Sequence, residues 1–530
     1  MTIHGNNLIA GAASQGTGKS FAADSPLDGS TLPGKFFEAS PANVDAALSA
    51  AAAAFPAFAA VSPEQRAVLL ETIADNIVAL GDALLERCHQ ECGLPLARLQ
   101  GERGRTVGQL RMFAAVAREN SWQDPRIDTA QPDRQPLPKP DLRRLLIPLG
   151  PIVVFGASNF PLAFSVAGGD TASALATGNP VVVKAHDSHP GTSEMVADAV
   201  TAAVKSCGLP AGVFSMLHGP GRVLGPLLAR HPASKAIALT GSLTAGRALF
   251  DAAASRPDPI PVFAEMSSLN PLIVLPNALA NRATAIGQAV CQSVTLGVGQ
   301  FCTKPGLIFV TESAGMDAFT AALAESFAAA APATMLHAGI CKSFGSGREH
   351  LITLPGLTML AGSKQADPTR SEGAPAVMLT DVATFLATPA LTEEYFGPLA
   401  IVVTGQSLSD ISRCLAHLGG QLTITFHADG TDYADASGLI QAAVHMAGRI
   451  VFNSVPTGVE VCPSMQHGGP WPAASDARFT SVGTAALARF VRPVAFQGAP
   501  QDVLPAALQD ANPLGLPRLV NGMVTNQPMA

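Results

Sequence analysis

Charge is scarce in this chain, long apolar runs are missing, and the cysteines are few and scattered. Of 530 residues only 14 % are charged, and 33 Lys and Arg against 40 Asp and Glu leave a formal net charge of −7. This mild acidity excludes the basic stripe with which a nucleic-acid binder neutralises phosphates. Apolar runs such as residues 51–60 are too short and too Ala-rich to span a bilayer, and Pro56 interrupts this one. No membrane partner is expected. No basic segment followed by an apolar one opens the chain, so no secretory leader is expected either. The eight cysteines lack the spacing of a disulfide framework, which fits free thiols in a reducing cytoplasm. Cys88, His89 and Cys92 could share a helix face, but no second pair at ligand spacing accompanies them. No metal is expected.

What is present is apolar bulk and alternation. Hydrophobic residues reach 48 %, enough for large cores, and the length suggests about three lobes. Residues 1–40 read as edge strands and turns. Ser40-Pro41 and Ser62-Pro63 each place a capping hydroxyl before a proline suited to the first helical position, so a helix is expected after each. Another helix is expected over 95–119, then an extended, Pro-rich and charged arm over 121–146. From Leu149 the pattern becomes α/β. Gly150-Pro-Ile-Val-Val-Phe155 and Pro180-Val-Val-Val-Lys184 read as buried strands flanking a helix over 160–176, the signature of a βαβ unit in a parallel sheet. The alternation restarts after residue 266, which predicts two successive α/β units meeting near 264–270. The tail after Gln497 shows little periodicity and reads as a surface wrap.

Several residues sit where an α/β sheet places chemistry. Leu296-Gly-Val-Gly-Gln-Phe-Cys302-Thr-Lys-Pro305 holds a thiol between a Gly-rich approach and the apolar run 306–310. A thiolate there is a candidate nucleophile for carbonyl carbon, against the plainer reading of a buried structural cysteine. Thr240-Gly241-Ser242-Leu-Thr-Ala-Gly246 follows a strand and opens a helix, whose N-terminal amides suit a pyrophosphate, although the spacing is not that of the common dinucleotide fingerprint. Asn159, in Ser158-Asn-Phe-Pro161, is either a turn former or an amide donor to an oxyanion. Lys184 ends a strand, where open sheets bind ligands. Glu265 follows an apolar strand and is either a cap or a general base.

These motifs, in this order, resemble the aldehyde dehydrogenase superfamily over residues 8 to 497: Ser-Asn159-Phe-Pro, Val-Val-Lys184, Thr-Gly-Ser242-x-x-x-Gly246, Glu265, Gly-Gln-x-Cys302 and Glu394-x-Phe396-Gly-Pro398. The runs Lys184-Ala-His-Asp-Ser-His189, Glu265-Met-Ser-Ser-Leu-Asn270 and His467-Gly-Gly-Pro-Trp471 look like the branch that oxidises α-ketoglutarate semialdehyde. Ser158, in place of the usual Trp, fits that branch too. The resemblance implies an α/β fold of two doubly wound lobes plus a bridging oligomerisation arm. It assigns residues 1–120 and 149–265 to a nucleotide-binding domain, 266–457 to a catalytic domain, 121–148 and 483–497 to the arm, and 498–530 to a C-terminal wrap.

It further implies that Cys302 attacks the aldehyde, that Asn159 and the Cys302 N–H hold the oxyanion, and that Glu265 activates water against the thioester. NADP or NAD would be held by Lys184, Asp187, Gly241, Ser242, Gly246, Glu394 and Phe396. Arg105, Gln109, Phe160, Phe164 and His467 would line the substrate tunnel, with Arg105 facing a carboxylate. The implied enzyme is a cytoplasmic homodimer or homotetramer without a metal, acting in sugar-acid catabolism. Alternatives are another aldehyde (succinate or glutarate semialdehyde, or a fatty aldehyde), acyl transfer to coenzyme A, or dinucleotide binding without chemistry. Retention of Glu265 and Cys302 speaks against the last two.

Overall fold

The computed structural model describes residues 3–16, 18–363, 366–367 and 369–529. A first seven-stranded sheet runs in the order Val262–Glu265, Ala236–Thr240, Ile152–Phe155, Val181–Lys184, Phe214–Leu217, Asn7–Ile9 and Ala12–Ser14. Its first five members are parallel. Ile-Val-Val-Phe and Val-Val-Val-Lys are buried along their whole length, as strands covered on both faces must be. Chain order reverses at Ile152–Phe155, where later strands add on opposite sides. That is the switch point at whose carboxyl edge such sheets bind ligands. The loop after Phe155 and the Thr240-Gly241-Ser242 turn share this edge.

The expected helices form. Ser40 and Ser62 cap the helices Pro41–Ala59 and Pro63–Ala79, each in a reciprocal capping box with the residue three positions on. Among the described residues Pro41–Ala59 is the one helix long and apolar enough to cross a membrane. Its Val44, Ala47, Leu48 and Ala51 instead pack on Val153 and Val182 of the sheet, at the spacing of one helical face. The helix Leu96–Glu119 ends at Asn120, which adopts a left-handed conformation, φ 58.

The helix expected over 160–176 is shorter, Gly169–Ala176. The Leu162 and Ala163 N–H groups donate to the buried Glu102 carboxylate, at 2.8 and 3.1 Å, instead of entering a helical ladder. The resulting turn presents Phe160 and Phe164.

A second seven-stranded sheet follows, in the order Thr358–Gly362, Ala376–Asp381, Leu399–Gly405, Leu307–Thr311, Leu272–Val274, Gln421–His427 and Ala447–Phe452. It is parallel except at the Thr358–Gly362 edge. The protein thus has the expected α/β class with two doubly wound sheets.

A third, five-stranded sheet combines Val491–Gln497, Leu142–Pro148 and Arg126–Asp128 with Arg518–Val520 and Met523–Thr525. The C-terminal tail therefore does more than cover a surface, because it supplies two strands. Leu504, Ala507, Leu508 and Leu516 also form a small core with Ile127 and Leu145. Strands of three residues leave no readable period. The tail is also held by arginines, Arg143 donating to Leu508 O and Asp510 Oδ1, both at 2.7 Å.

Candidate active site

Cys302 lies between the turn Leu296–Gly299 and the strand Leu307–Thr311. Gly299 has φ +67, and a Cβ there would meet the Gly397 carbonyl oxygen at 2.2 Å. Only glycine lets this loop rest on the Phe396-Gly397-Pro398 segment. Val298, at φ 58, is a β-branched residue in the left-handed region and is strained. From the other side the Asn270 amide donates to the carbonyls of Cys302 at 2.8 Å and Lys304 at 3.0 Å. Gln421 Oε1 fixes Asn270 by accepting from its N–H at 3.0 Å. The loop is clamped on both sides, with the thiol half-buried.

Glu265 ends the edge strand Val262–Glu265. Among the described residues no further strand pairs beyond it. Instead a returning segment closes the edge, Met266 N–H donating to Ala473 O at 2.8 Å and Ser475 N–H to Ala264 O at 2.9 Å. The same segment carries His467 and Ser481 to the carboxylate. Ser481 Oγ donates to Glu265 Oε2 at 2.6 Å. His467 Nε2 lies 3.4 Å from Cys302 Sγ and 2.9 Å from Glu265 Oε1. That second contact is short but not aligned as a hydrogen bond, so Oε1 has no hydrogen-bond partner. Expected as a polar contact to substrate, His467 sits beside both the thiol and the carboxylate.

Their electrostatics diverge. Burial works to raise the Glu265 pKa, but the His467 imidazole, the Ser481 hydroxyl and the Cys302 thiol outweigh it, so the carboxyl lies below its ordinary value. It is ionised at neutral pH. Burial first, and then the Glu265 charge, push the Cys302 thiol well above its ordinary value, with Arg105 pulling weakly the other way. Cys302 therefore rests as a thiol, and a thiol needs a proton acceptor before its sulfur can attack.

Asn159 follows the central strand of the first sheet. Its amide donates to Gln300 O at 3.1 Å, two residues from Cys302, and Arg98 donates to its carbonyl at 2.9 Å. An Asn amide carries two N–H groups, so one donor is used in holding the Cys302 loop. Arg98 also stacks on Phe301 and Phe160, 4.8 and 5.4 Å from the ring centroids.

At the switch-point edge, Lys184 is buried and its ammonium donates to Asp187 Oδ1 at 2.6 Å. An ammonium has three donors. Gly241 and Ser242 are exposed at the N-terminus of the helix Leu243–Ala254. The Ser242 hydroxyl caps that helix by accepting from Ala245 N–H at 3.2 Å. Gly246 serves packing rather than ligand approach, because a Cβ there would meet Met266 Sδ at 2.4 Å. Glu394 is half-buried, and burial pushes its carboxyl up to about 7. Lys304, near it, donates to the carbonyls of Tyr395 and Leu399 at 3.1 and 3.0 Å. Burial brings that lysine down to about 8. A buried ammonium with spare donors and an exposed helix N-terminus at the switch point suit a dinucleotide's ribose and pyrophosphate.

Of the basic stretch on the helix Leu96–Glu119, Arg103 donates to Gly81 O at 2.8 Å and Arg111 pairs with Asp75 at 2.9 Å. Arg105 is different. Its guanidinium stacks on Phe160 and Phe164, 5.7 and 5.4 Å from the centroids. Its Nε and Nη2 are buried without a hydrogen-bond partner. Gln109 is buried within the fold, its amide 3.4 Å from Ala163 O.

Sequence reading missed Ser481, Asn270, Lys304 and Arg449. Arg449, whose pKa burial lowers, lies in the neighbourhood of Cys302 and donates to Gly458 O at 3.0 Å and Pro456 O at 2.5 Å. Asn270 stood inside a quoted motif. Ser481 and Arg449 carried no local signal.

A cysteine thiol and an ionised carboxylate thus stand together next to the switch point of an open α/β sheet. The aldehyde dehydrogenase family profile matches residues 13–415, and the chain belongs to that family. It is 50 % identical over 523 residues to alpha-ketoglutaric semialdehyde dehydrogenase 2 of Azospirillum brasilense, covering 98 % of this chain and 99 % of that protein. It is 48 % identical over 491 residues to alpha-ketoglutaric semialdehyde dehydrogenase of Acinetobacter baylyi, covering 92 % and 93 %. Among solved structures, a lactaldehyde dehydrogenase superposes with TM-score 0.81 at 21 % identity, covering 94 % of this chain and 99 % of that one. PnpE from Pseudomonas sp. WBC-3 gives 0.78 at 22 %, covering 95 % and 99 %. At such identity the likeness is one of fold.

Proposed function

We propose that the enzyme oxidises α-ketoglutarate semialdehyde (2,5-dioxopentanoate) to 2-oxoglutarate with NAD or NADP. The names of the relatives at 50 % and 48 % identity support this substrate. The observation in the chain itself that carries it is Arg105, a guanidinium with two unpartnered donors between Phe160 and Phe164. A substrate ending in a carboxylate supplies the missing acceptors.

In this reading His467 Nε2, 3.4 Å from Sγ, takes the thiol proton as sulfur adds to the aldehyde carbon. The Asn159 amide and the Cys302 N–H hold the oxyanion. The dinucleotide, when bound near Lys184, Asp187, Gly241, Ser242, Glu394 and Phe396, supplies the hydride acceptor. Cys302 is left as a thioester. Glu265, ionised and steadied by Ser481, then takes a proton from the water that releases the acid. The Lys184–Asp187 pair offers a 2′-phosphate no net charge, and on that ground both dinucleotides are accepted.

Steady-state kinetics on α-ketoglutarate, succinate and glutarate semialdehydes, each with NAD and NADP, test the assignment. The first substrate should have the highest kcat/KM with either dinucleotide. Arg105→Leu should lower that value by about 10- to 100-fold, mostly through KM, as expected for a lost charge-assisted contact of about 1.5–3 kcal/mol. A neutral aliphatic aldehyde should be little affected, and equal losses for both would remove Arg105 from the substrate.

His467→Ala should slow the first turnover by about 10²-fold at neutral pH, the usual scale for a lost proton acceptor. Because the thiol pKa lies above its ordinary value, more thiolate forms as pH rises. The variant's rate should therefore climb across the alkaline range while the parent's stays flatter. Parallel profiles would place His467 outside the proton path.

The five-stranded sheet exposes Met523 and Val524 at 72 % and 76 %, and the connection between two of its strands exposes Leu137 at 69 %, and we read it as an arm covered by a second copy. Light scattering should return two or four chains per particle. A monomer would reject the arm.

A further inference from the structure

Three different metal-binding side chains converge on the nucleophile. One donor atom each from Glu265, Cys302 and His467 lie within 4.8 Å of one another. Tetrahedral zinc holds nitrogen and oxygen at about 2.0–2.2 Å and sulfur at about 2.3 Å, which sets neighbouring ligand atoms about 3.3–3.6 Å apart. The Nε2 to Sγ spacing, 3.4 Å, already has that value. The Nε2 to Oε1 contact, 2.9 Å, needs to open by a few tenths of an ångström.

A second, independent observation points to a ligand. Glu265 is 4 % exposed, and its Oε1, the oxygen turned to His467, has no hydrogen-bond partner. Ser481 holds the other oxygen at 2.6 Å, so the carboxylate is fixed with Oε1 turned to His467 Nε2, 2.9 Å away, and towards the Cys302 thiol. A buried carboxylate oxygen with no aligned hydrogen bond is under-satisfied, and a cation would satisfy it.

We propose that Cys302, His467 and Glu265 form a binding site for zinc and similarly thiophilic divalent cations, and that an ion there reversibly silences the enzyme. Thiolate, imidazole and carboxylate suit zinc, whereas magnesium and calcium favour sites built of oxygen alone. Binding forms a sulfur–metal bond and releases the thiol proton to solvent, with no change of oxidation state. The bound ion occupies the sulfur lone pair that attacks the aldehyde and the carboxylate oxygen that activates water. A chelator restores both. The silencing rests on Cys302 being the nucleophile; the binding does not.

The test uses the full-length enzyme with Zn²⁺ competed against a chromophoric chelator, and Co²⁺ as the spectroscopic probe. One ion per chain should bind with a thiolate-to-cobalt charge-transfer band, activity should fall in step, and excess chelator should return it. Cys302→Ser should abolish the band. His467→Ala and, separately, the near-isosteric Glu265→Gln should each weaken Zn²⁺ binding by at least about tenfold, since each removes a ligand. Mg²⁺ should do nothing. A band that survives Cys302→Ser, for example from the close Cys88–Cys92 pair, would overturn the site, as would Zn²⁺ affinity unchanged in both other variants. Binding that needs Cys302 and His467 in a protein that oxidises no aldehyde would uphold the site and sink the catalytic reading instead.

Discussion

Replacing Cys302 by Ala should lower kcat for aldehyde oxidation by about 10⁴- to 10⁶-fold, the scale seen when a covalent nucleophile is removed. An aldehyde holds its hydrogen on a trigonal carbon that surrenders hydride poorly. Only after sulfur adds does an oxyanion push the hydride out, and no neighbouring side chain replaces sulfur here. Of the groups near it that carry lone pairs, Glu265 is hydrogen-bonded to Ser481 and His467 lies on the proton side of the thiol. The substitution empties a small volume in a loop whose backbone is held independently by Asn270 and by the Gly299 contact. Folding and dinucleotide affinity should therefore persist, as binding fluorescence would show. Activity within tenfold of the parent would remove the nucleophile assignment.

Glu265→Gln should separate the two halves of the reaction. Gln keeps the shape and can still accept from Ser481, but it cannot take a proton from water. The first equivalent of reduced dinucleotide should appear in a burst near the parental rate, because sulfur addition does not use this carboxylate. Later turnovers should slow by about 10²- to 10⁴-fold, the usual contribution of a general base. Stopped-flow absorbance resolves the phases. Removing the negative charge also removes the second-largest influence that raises the thiol pKa, so the variant thiol should alkylate faster at a given pH. Unchanged steady-state turnover would contradict the base role.

Much of this centre was legible in the chain because its parts lie at strand ends, where local pattern is strongest. Val-Val-Phe155 before Asn159, Val-Val-Val-Lys184 and Val-Phe-Ala-Glu265 each announce a buried strand and the residue at its mouth. The cluster of His467 and Ser481 against Glu265 was not legible. It is made by a segment that closes a sheet edge about 200 residues downstream, through backbone hydrogen bonds that leave no sequence pattern and through the Ser475 hydroxyl, which accepts from Ala264 N–H at 2.8 Å. The turn at 161–168 was missed for a related reason. Glu102, on a distant helix, captures amides that a local reading gives to a helix. Gly246 stands in the Thr-Gly-Ser-x-x-x-Gly motif, but the demand for glycine there comes from Met266 beneath it, a contact no spacing rule contains.

The most direct measurement is mass spectrometry of the Glu265→Gln enzyme, quenched in acid after one turnover with dinucleotide and α-ketoglutarate semialdehyde. The account predicts a 2-oxoglutaryl thioester on the peptide that carries Cys302, and none when dinucleotide is omitted. Product formed with that peptide unmodified, or with the acyl group on another cysteine, would contradict it.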